Sequence, residues 1–212
     1  MADYILSAPL TGSKVEELLL RVNNNQDFTS VLKGKLDGLD NQHYDLEDTF
    51  TDTTTQVGVL DTPKNVLYGP LKTSPSGILR HNADGTIDVL KGGPLFIKTR
   101  HRVARTGATG VSRVFQWVEI STDNGASWQI TGTPVAASLS GADESSLFFD
   151  GTPINLPTGA KIRARFARSS TGTDFGELRS ASPSASLTTY GLGTSPSAQL
   201  SVYKVIGWNY DA

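Results

Sequence analysis

Histidines and carboxylates are the side chains that would supply metal-binding or acid–base chemistry in this sequence. The three histidines, His43, His81 and His101, are far apart, and no two have the spacing that puts two ligands on one metal ion. The carboxylates are scattered, so no pair stands out as the acid and base of a glycan hydrolase. No nucleophile-elbow, phosphate-loop or dinucleotide-binding motif occurs. The sequence therefore predicts no catalytic, cofactor-binding or metal-binding residue, and we expect a protein that is not an enzyme.

The sharpest local motif lies at residues 121–128, which read STDNGASW. Asp123 can accept backbone hydrogen bonds, Gly125 tolerates a positive φ, and Trp128 can pack back on the hairpin. The motif resembles the Asp-box of sialidase-type propellers. Those proteins carry several copies along a much longer chain, and this sequence has one. We therefore interpret Asp123, Gly125 and Trp128 as a structural turn.

Basic residues alternate with apolar ones along two predicted strands. They are Lys98, Arg100, Arg102 and Arg105 on the first and Lys161, Arg163, Arg165 and Arg168 on the second. The pattern predicts one charged face, which is either a solvated outer surface or an inter-subunit face. In the second case, Arg100, Arg102, Arg163 and Arg165 would pair with carboxylates of a neighbouring subunit. Aromatic residues are not interleaved as stacking platforms require, so we do not expect nucleic-acid binding.

Composition sets the class of protein. The 212 residues include no cysteine, which excludes disulfides and thiolate metal sites. The net charge of −2 conceals an asymmetry: residues 1–60 carry 4 basic and 10 acidic side chains, and residues 61–212 carry 15 and 11. No segment resembles a signal peptide, and no apolar run approaches the ~18 residues of a membrane span, so no membrane partner is expected.

The elements that would position these residues change character along the chain. From residue 66 onward the apolar residues recur with period two between turn signals such as Asp84-Gly85 and Asn124-Gly125. Ile162, Ala164 and Phe166, for example, alternate with basic residues. About ten short strands of this kind, with residues 184–190 among them, predict a mainly β protein, a jelly-roll-type β-sandwich. Residues 48–65, rich in Thr and Asp, are predicted to be an extended linker or an arm that lies on a surface.

The N-terminal part has a helical pattern instead. A capping box at Ser13 and Glu16 predicts a helix over 13–22, and a second helix begins after Asp27. Such short helices are unstable alone, so their apolar stripes must pack on the β domain, on other copies or on a larger assembly. The predicted attachment or oligomer interface consists of Val15, Leu18, Leu19, Val22, Phe28, Val31, Leu32, Leu36 and Leu39. We predict a helical attachment segment with linker over 1–60 and a β-sandwich over 61–212.

Four stretches of the β domain share a recognisable order and read ADGTIDVLKGGPLFIKTRHRVAR, VFQWVEISTDNGASW, INLPTGAKIRARFARS and AQLSVYKVIG. Together they resemble the small trimeric jelly rolls of tailed-phage virion proteins, whose strand order is similar to tumour-necrosis-factor-like sandwiches. The resemblance covers residues 66–206. It implies a homotrimer located in the virion, with other capsid or tail proteins as partners.

The resemblance leaves three functions open. The first is a head fibre or capsid decoration protein, attached to the particle through its N-terminal segment. The second is a tail or collar fibre tip that binds a host receptor or surface glycan through loops at 105–111, 132–145 and 169–176. The third, a glycan hydrolase, is disfavoured because no catalytic pair can be named. None of the three requires a cofactor.

Overall fold

The computed structural model describes residues 43–105, 111–141, 144–151, 153–169 and 176–206. Residues 44–205 form one compact unit. The helices predicted at 13–22 and after Asp27 lie outside the described residues, as does the apolar stripe from Val15 to Leu39. Those predictions stay predictions.

Thirteen strands and one short helix make up the described part of the chain. The helix α1 is Ala185–Thr188. The strands, β1 to β13 in order, are His43–Asp52, Gln56–Val57, Lys64–Asn65, Leu79–His81, Ile87–Val89, Gly93–Arg105, Val111–Ser121, Gln129–Ser140, Glu144–Asp150, Ile154–Leu156, Lys161–Ser169, Gly176–Leu178 and Ala198–Ile206.

These strands form two antiparallel sheets. In the first sheet β6 is central: β13 and β12 pair along one edge, β9 and β10 along the other, and β1 and β2 lie outside β13 and β12. In the second sheet β11 pairs with β7 on one side and with β5 and β3 on the other. β8 extends this sheet beyond β7, and β4 extends it beyond β5. The two sheets enclose one hydrophobic core, which confirms the predicted β-sandwich.

Period-two alternation decides which side chains enter the core. Along β6 the odd-numbered residues from Leu95 to Val103 are buried, and the even-numbered ones from Phe96 to Arg102 are not. Along β11, Ile162, Ala164 and Phe166 are buried. Both patterns were predicted from the sequence, because successive side chains of a strand point to opposite faces.

The prediction that residues 48–65 form a linker needs correction. The predicted linker contains the second half of β1 and all of β2 and β3, so the sandwich begins before residue 61. Its Thr and Asp residues serve as turn and edge residues. The Asp52 carboxylate accepts the backbone N–H of Thr53 at 2.8 Å and of Thr54 at 3.1 Å, which turns the chain between β1 and β2.

Two other segments differ from their predictions. Residues 132–140, predicted as part of a ligand loop, belong to β8, which pairs with β7 across a bulge at Trp117. Residues 184–190, predicted as a strand, contain α1, because the Ser184 carbonyl accepts the N–H groups of Leu187 and Thr188. The other two predicted ligand loops fall largely outside the described residues.

Candidate oligomerisation surface

The outer face of the first sheet carries an aromatic patch, which we define as Phe96, Phe148 and Tyr203. Strand register places Tyr203 opposite Phe96, and their rings meet edge-on with centroids 6.3 Å apart. Phe148, on the other edge of β6, is 58% exposed. Exposed aromatic side chains that gather on one sheet face mark a surface that binds another molecule.

Two cations lie between these rings. Lys98 Nζ is 5.2 Å from the centroid of Phe96 and 5.9 Å from that of Tyr203. The guanidinium of Arg100 is 5.4 Å from the centroid of Phe148, and Asp150 pairs with Lys98 at 3.4 Å. A shallow cavity of about 210 Å³ lies here, and its lining includes Lys98, Arg100, Phe148, Asp150, Gln199, Ser201 and Tyr203. The patch thus combines aromatic area with a mainly cationic charge.

Arg102 continues the same face toward the end of β6. Its guanidinium donates to the carbonyl oxygen of Ser180 at 2.8 Å and of Arg179 at 3.3 Å, and it also pairs with Glu144. A planar guanidinium can serve several acceptors at once. Arg102 therefore fastens the chain that leaves β12 to the outer face of the first sheet.

The outer face of the second sheet is an ion-pair network. Glu119 on β7 pairs with Arg163 at 2.5 Å and with Arg165 at 3.6 Å, both on β11. One row away, Asp88 pairs with Arg80 at 2.5 Å and with Lys161 at 2.9 Å. Each carboxylate thus joins two cations of its own chain.

The single charged face predicted from the arginine rows is therefore wrong. Arg100 and Arg102 lie on the first sheet, whereas Arg163 and Arg165 lie on the second. Arg105 is buried because it has the inward parity of β6, and Arg168 is buried for the same reason on β11. Period two identifies the faces of each strand, but it does not say which strands share a sheet.

The turn at 121–128 has the hydrogen bonds that its sequence suggests. Asp123 accepts Ser121 Oγ at 2.6 Å and the backbone N–H of Ser127 at 2.9 Å. Gly125 has φ +94°, and its carbonyl accepts Trp128 Nε1 at 3.1 Å. Hydrogen bonds from the Ser121 hydroxyl, which contributes most, and from the hydroxyl and backbone N–H of Ser127 lower the pKa of the Asp123 carboxyl well below its ordinary range.

A buried polar cluster between the sheets was missed by the sequence analysis. Tyr68 Oη lies 3.4 Å from His101 Nε2, and its ring meets that of His81 edge-on at 5.8 Å. Gln116, also fully buried, donates to Thr99 beside them. Burial lowers the pKa of His101 to about 3 and raises the pKa of Tyr68, so both side chains are neutral at pH 7. The only sequence signal was His101 at an inward position of β6.

The described residues contain neither a metal-binding cluster nor a membrane-spanning helix. Within the described ranges, no group of three or more His, Cys, Asp or Glu side chains could hold a metal ion. No helix in the same ranges has the length and apolar character needed to cross a membrane.

Comparison with known proteins gives matches in structure alone. No family model matches the chain, and no curated protein matches it in sequence. The solved structure of Eiger TNF from S. frugiperda is similar over 80% of this chain and 97% of its own, with 12% identity and a TM-score of 0.50. The described chain has a tumour-necrosis-factor-like jelly-roll fold. Murine APRIL, solved at pH 5.0, matches this jelly roll over 77% of the chain and 100% of its own, with 14% identity and a TM-score of 0.47.

Proposed function

We propose that this protein is a homotrimeric structural component of a bacteriophage particle, a head fibre or capsid decoration protein. The observation that carries the oligomer is the aromatic patch on the first sheet, where Phe148 stands 58% exposed beside Arg100. Aromatic residues and arginine are the types enriched at protein interfaces. A neighbouring copy that covers this face would bury the rings together with the two cations between them, of which Lys98 already pairs with Asp150.

The edge strand β8 of the second sheet offers the complementary surface. β8 is an edge strand of 12 residues, of which Leu139 alone is buried, and its Ile130 is 57% exposed. An edge with unpaired backbone groups and exposed apolar side chains favours association. When an edge of one copy packs on a face of the next, the contact is heterologous, and a rotation of one third of a turn closes it into a ring.

The location on a phage particle rests on two further supports. The stretches of the β domain resemble trimeric jelly rolls of tailed-phage virions, and the fold is of the tumour-necrosis-factor-like type. The acidic segment before β1 carries the apolar residues Val15, Leu18, Leu19 and Val22 at helical spacing, which suits docking on a larger assembly. We therefore assign attachment to the N-terminal segment and trimerisation to the jelly roll.

Light scattering coupled to size exclusion tests the oligomer. Wild-type protein at micromolar concentration should elute with the mass of a trimer. Phe148→Asp should shift it to monomer, because a carboxylate would then be buried in the interface. Leu71→Asp is the matched control, since Leu71 is an exposed apolar residue outside the patch. A monomeric wild type would overturn the proposal.

Incorporation into particles tests the location. The full-length chain with Leu18→Asp and Leu19→Asp should remain a trimer but be absent from purified particles, because only the attachment segment is altered. The control replaces the charged residues Glu17 and Arg21 by Gln, which lie outside the apolar stripe of the predicted helix. Wild-type protein that is absent from particles would contradict the virion assignment while leaving the trimer untouched.

A further inference from the structure

The segment between β12 and β13 is an ordered loop, which we call the β12–β13 loop and define as residues 179–197. Its base is closed by two backbone hydrogen bonds between Ala181 and Ser195, at 3.1 and 2.8 Å. Inside it, α1 is followed by turns in which Tyr190 N–H donates to the Leu187 carbonyl at 3.1 Å and Gly191 N–H to Thr188 at 2.9 Å. A compact loop held by its own hydrogen bonds presents its side chains in a fixed arrangement.

The loop exposes its large apolar residues. Tyr190 is 81% exposed, Leu187 46% and Leu192 49%, and no residue of α1 is buried. Residues 180–203 contain no charged side chain, although 19% of the whole chain is charged. Depletion of charge together with a large aromatic residue is the composition of the buried centre of a protein interface.

Both ends of this loop are tied to one residue of the first sheet. The backbone N–H of Arg102 donates to the Ser197 carbonyl at 2.9 Å, and the Arg102 carbonyl accepts Arg179 N–H at 3.0 Å. The Arg102 side chain, on the outer face, binds the Ser180 carbonyl at 2.8 Å. Arg100 is the neighbouring residue of β6 on that face, and its guanidinium lies over the Phe148 ring. The loop is thus continuous with the aromatic patch.

We propose that the β12–β13 loop of one copy packs Leu187, Tyr190 and Leu192 against a neighbouring copy and clamps the oligomer. This inference rests on the proposed trimer and extends its interface beyond the sheet face. The occupant is a second copy, because the loop emerges on the same face as the aromatic patch and its residues 180–197 lack the charges that would keep it solvated. Arg102 is a positioning residue, since it holds the base of the loop without contributing to its tip.

Footprinting the intact protein with hydroxyl radicals tests the contact. In the wild-type trimer Tyr190 should be protected, whereas in the monomeric Phe148→Asp variant it should be modified at a rate that matches its 81% exposure. Tyr190 that is equally reactive in the trimer and in the monomer would overturn the clamp.

Dissociation on dilution supplies a second readout, measured by sedimentation. The combined change Leu187→Ser, Tyr190→Ser and Leu192→Ser should raise the concentration at which the trimer dissociates by about tenfold or more. Leu71→Ser, outside the loop, should leave that concentration unchanged, and Tyr190→Phe should behave as wild type. If the wild type is a trimer and the triple variant dissociates at the same concentration, the clamp is wrong and the proposed function stands. A monomeric wild type would remove both.

Discussion

The guanidinium carbon of Arg163 lies 3.8 Å from the centroid of the Trp128 ring. The same guanidinium donates to Glu119 through Nε at 2.6 Å, and Trp117 Nε1 donates to the other oxygen of that carboxylate at 2.7 Å. Glu119 therefore joins β7 to β11, and Arg163 joins both to the turn at 121–128. The whole group is local to the second sheet, so it stabilises the sandwich and leaves the first sheet free for association.

Removing the shared carboxylate should destabilise the fold. Glu119→Ala leaves Arg163, Arg165 and Trp117 without their acceptor, and we expect a loss of about 2 kcal/mol in the free energy of unfolding. Urea denaturation followed by tryptophan fluorescence measures it. Arg113→Ala, an exposed change on the same strand, should stay within about 0.5 kcal/mol of wild type. Equal stability of the two variants would show that the network contributes nothing.

The strand alternation in β6 and β11 was predictable from the sequence, because apolar and polar residues alternate along each strand and the apolar ones are those that become buried. The turn at 121–128 was predictable for the same reason: its donors and acceptors lie within eight residues. The separation of Arg100 from Arg163 was not, since pairing between distant strands depends on the whole topology. Residues 132–140 of β8 were read as a loop because their Gly, Thr, Ser and Ala residues show no alternation, and the pairing of β8 with β7 overrides that weak local preference.

The site was less predictable than the fold. The aromatic patch joins three residues from three strands, and only the register between those strands reveals that they are neighbours. The buried cluster of Tyr68, His81 and His101 was hidden because a histidine at an inward position looks the same whether it titrates or stays neutral. Tertiary burial decides that question.

Acid should destabilise the sandwich through its buried histidines. The pKa of His101 falls to about 3 through burial. Burial likewise lowers the pKa of His81; the Pro70 carbonyl and Asp84 oppose that shift, and Lys72 adds to it. Because the unfolded chain binds protons near pH 6.5 and the folded chain does not, stability is full above that pH. It is lost as the pH falls from 6.5 toward 3, at about 1.4 kcal/mol per pH unit for each histidine that stays neutral.

His101→Gln isolates one of these protons. Glutamine is polar but does not titrate. The free energy of unfolding of the variant should therefore fall less steeply with decreasing pH than that of wild type, and the difference in slope should correspond to nearly one proton. Urea denaturation at several values between pH 7.5 and 4.5 gives both slopes. Identical slopes would show that His101 protonates as readily in the folded chain as in the unfolded one.

The Asp123 carboxylate should stabilise the fold over a pH range that differs from that of the buried histidines. Its pKa is lowered by hydrogen bonds from the Ser121 hydroxyl and then from Ser127, so its contribution is present above the ordinary aspartate range and is lost as the pH falls below it. Asp123→Asn should therefore lower the melting temperature at pH 7, and the difference from wild type should shrink at pH 3. A difference that is constant between these pH values would assign the effect to shape rather than charge.

Alanine substitutions at two glycines distinguish the cost of backbone strain from the cost of a steric clash. Gly77 and Gly85 have φ of +68° and +82°, which non-glycine residues rarely adopt. A Cβ on Gly77 would meet nothing within 4 Å, whereas a Cβ on Gly85 would collide with the Val66 carbonyl oxygen. Gly77→Ala should therefore cost about 1 kcal/mol, the strain alone. Gly85→Ala should cost about 3 kcal/mol, because the turn before β5 must move away from Val66, whose N–H pairs with Ala164 in β11. Chemical denaturation gives both values, and equal costs would mean that the Val66 segment yields freely.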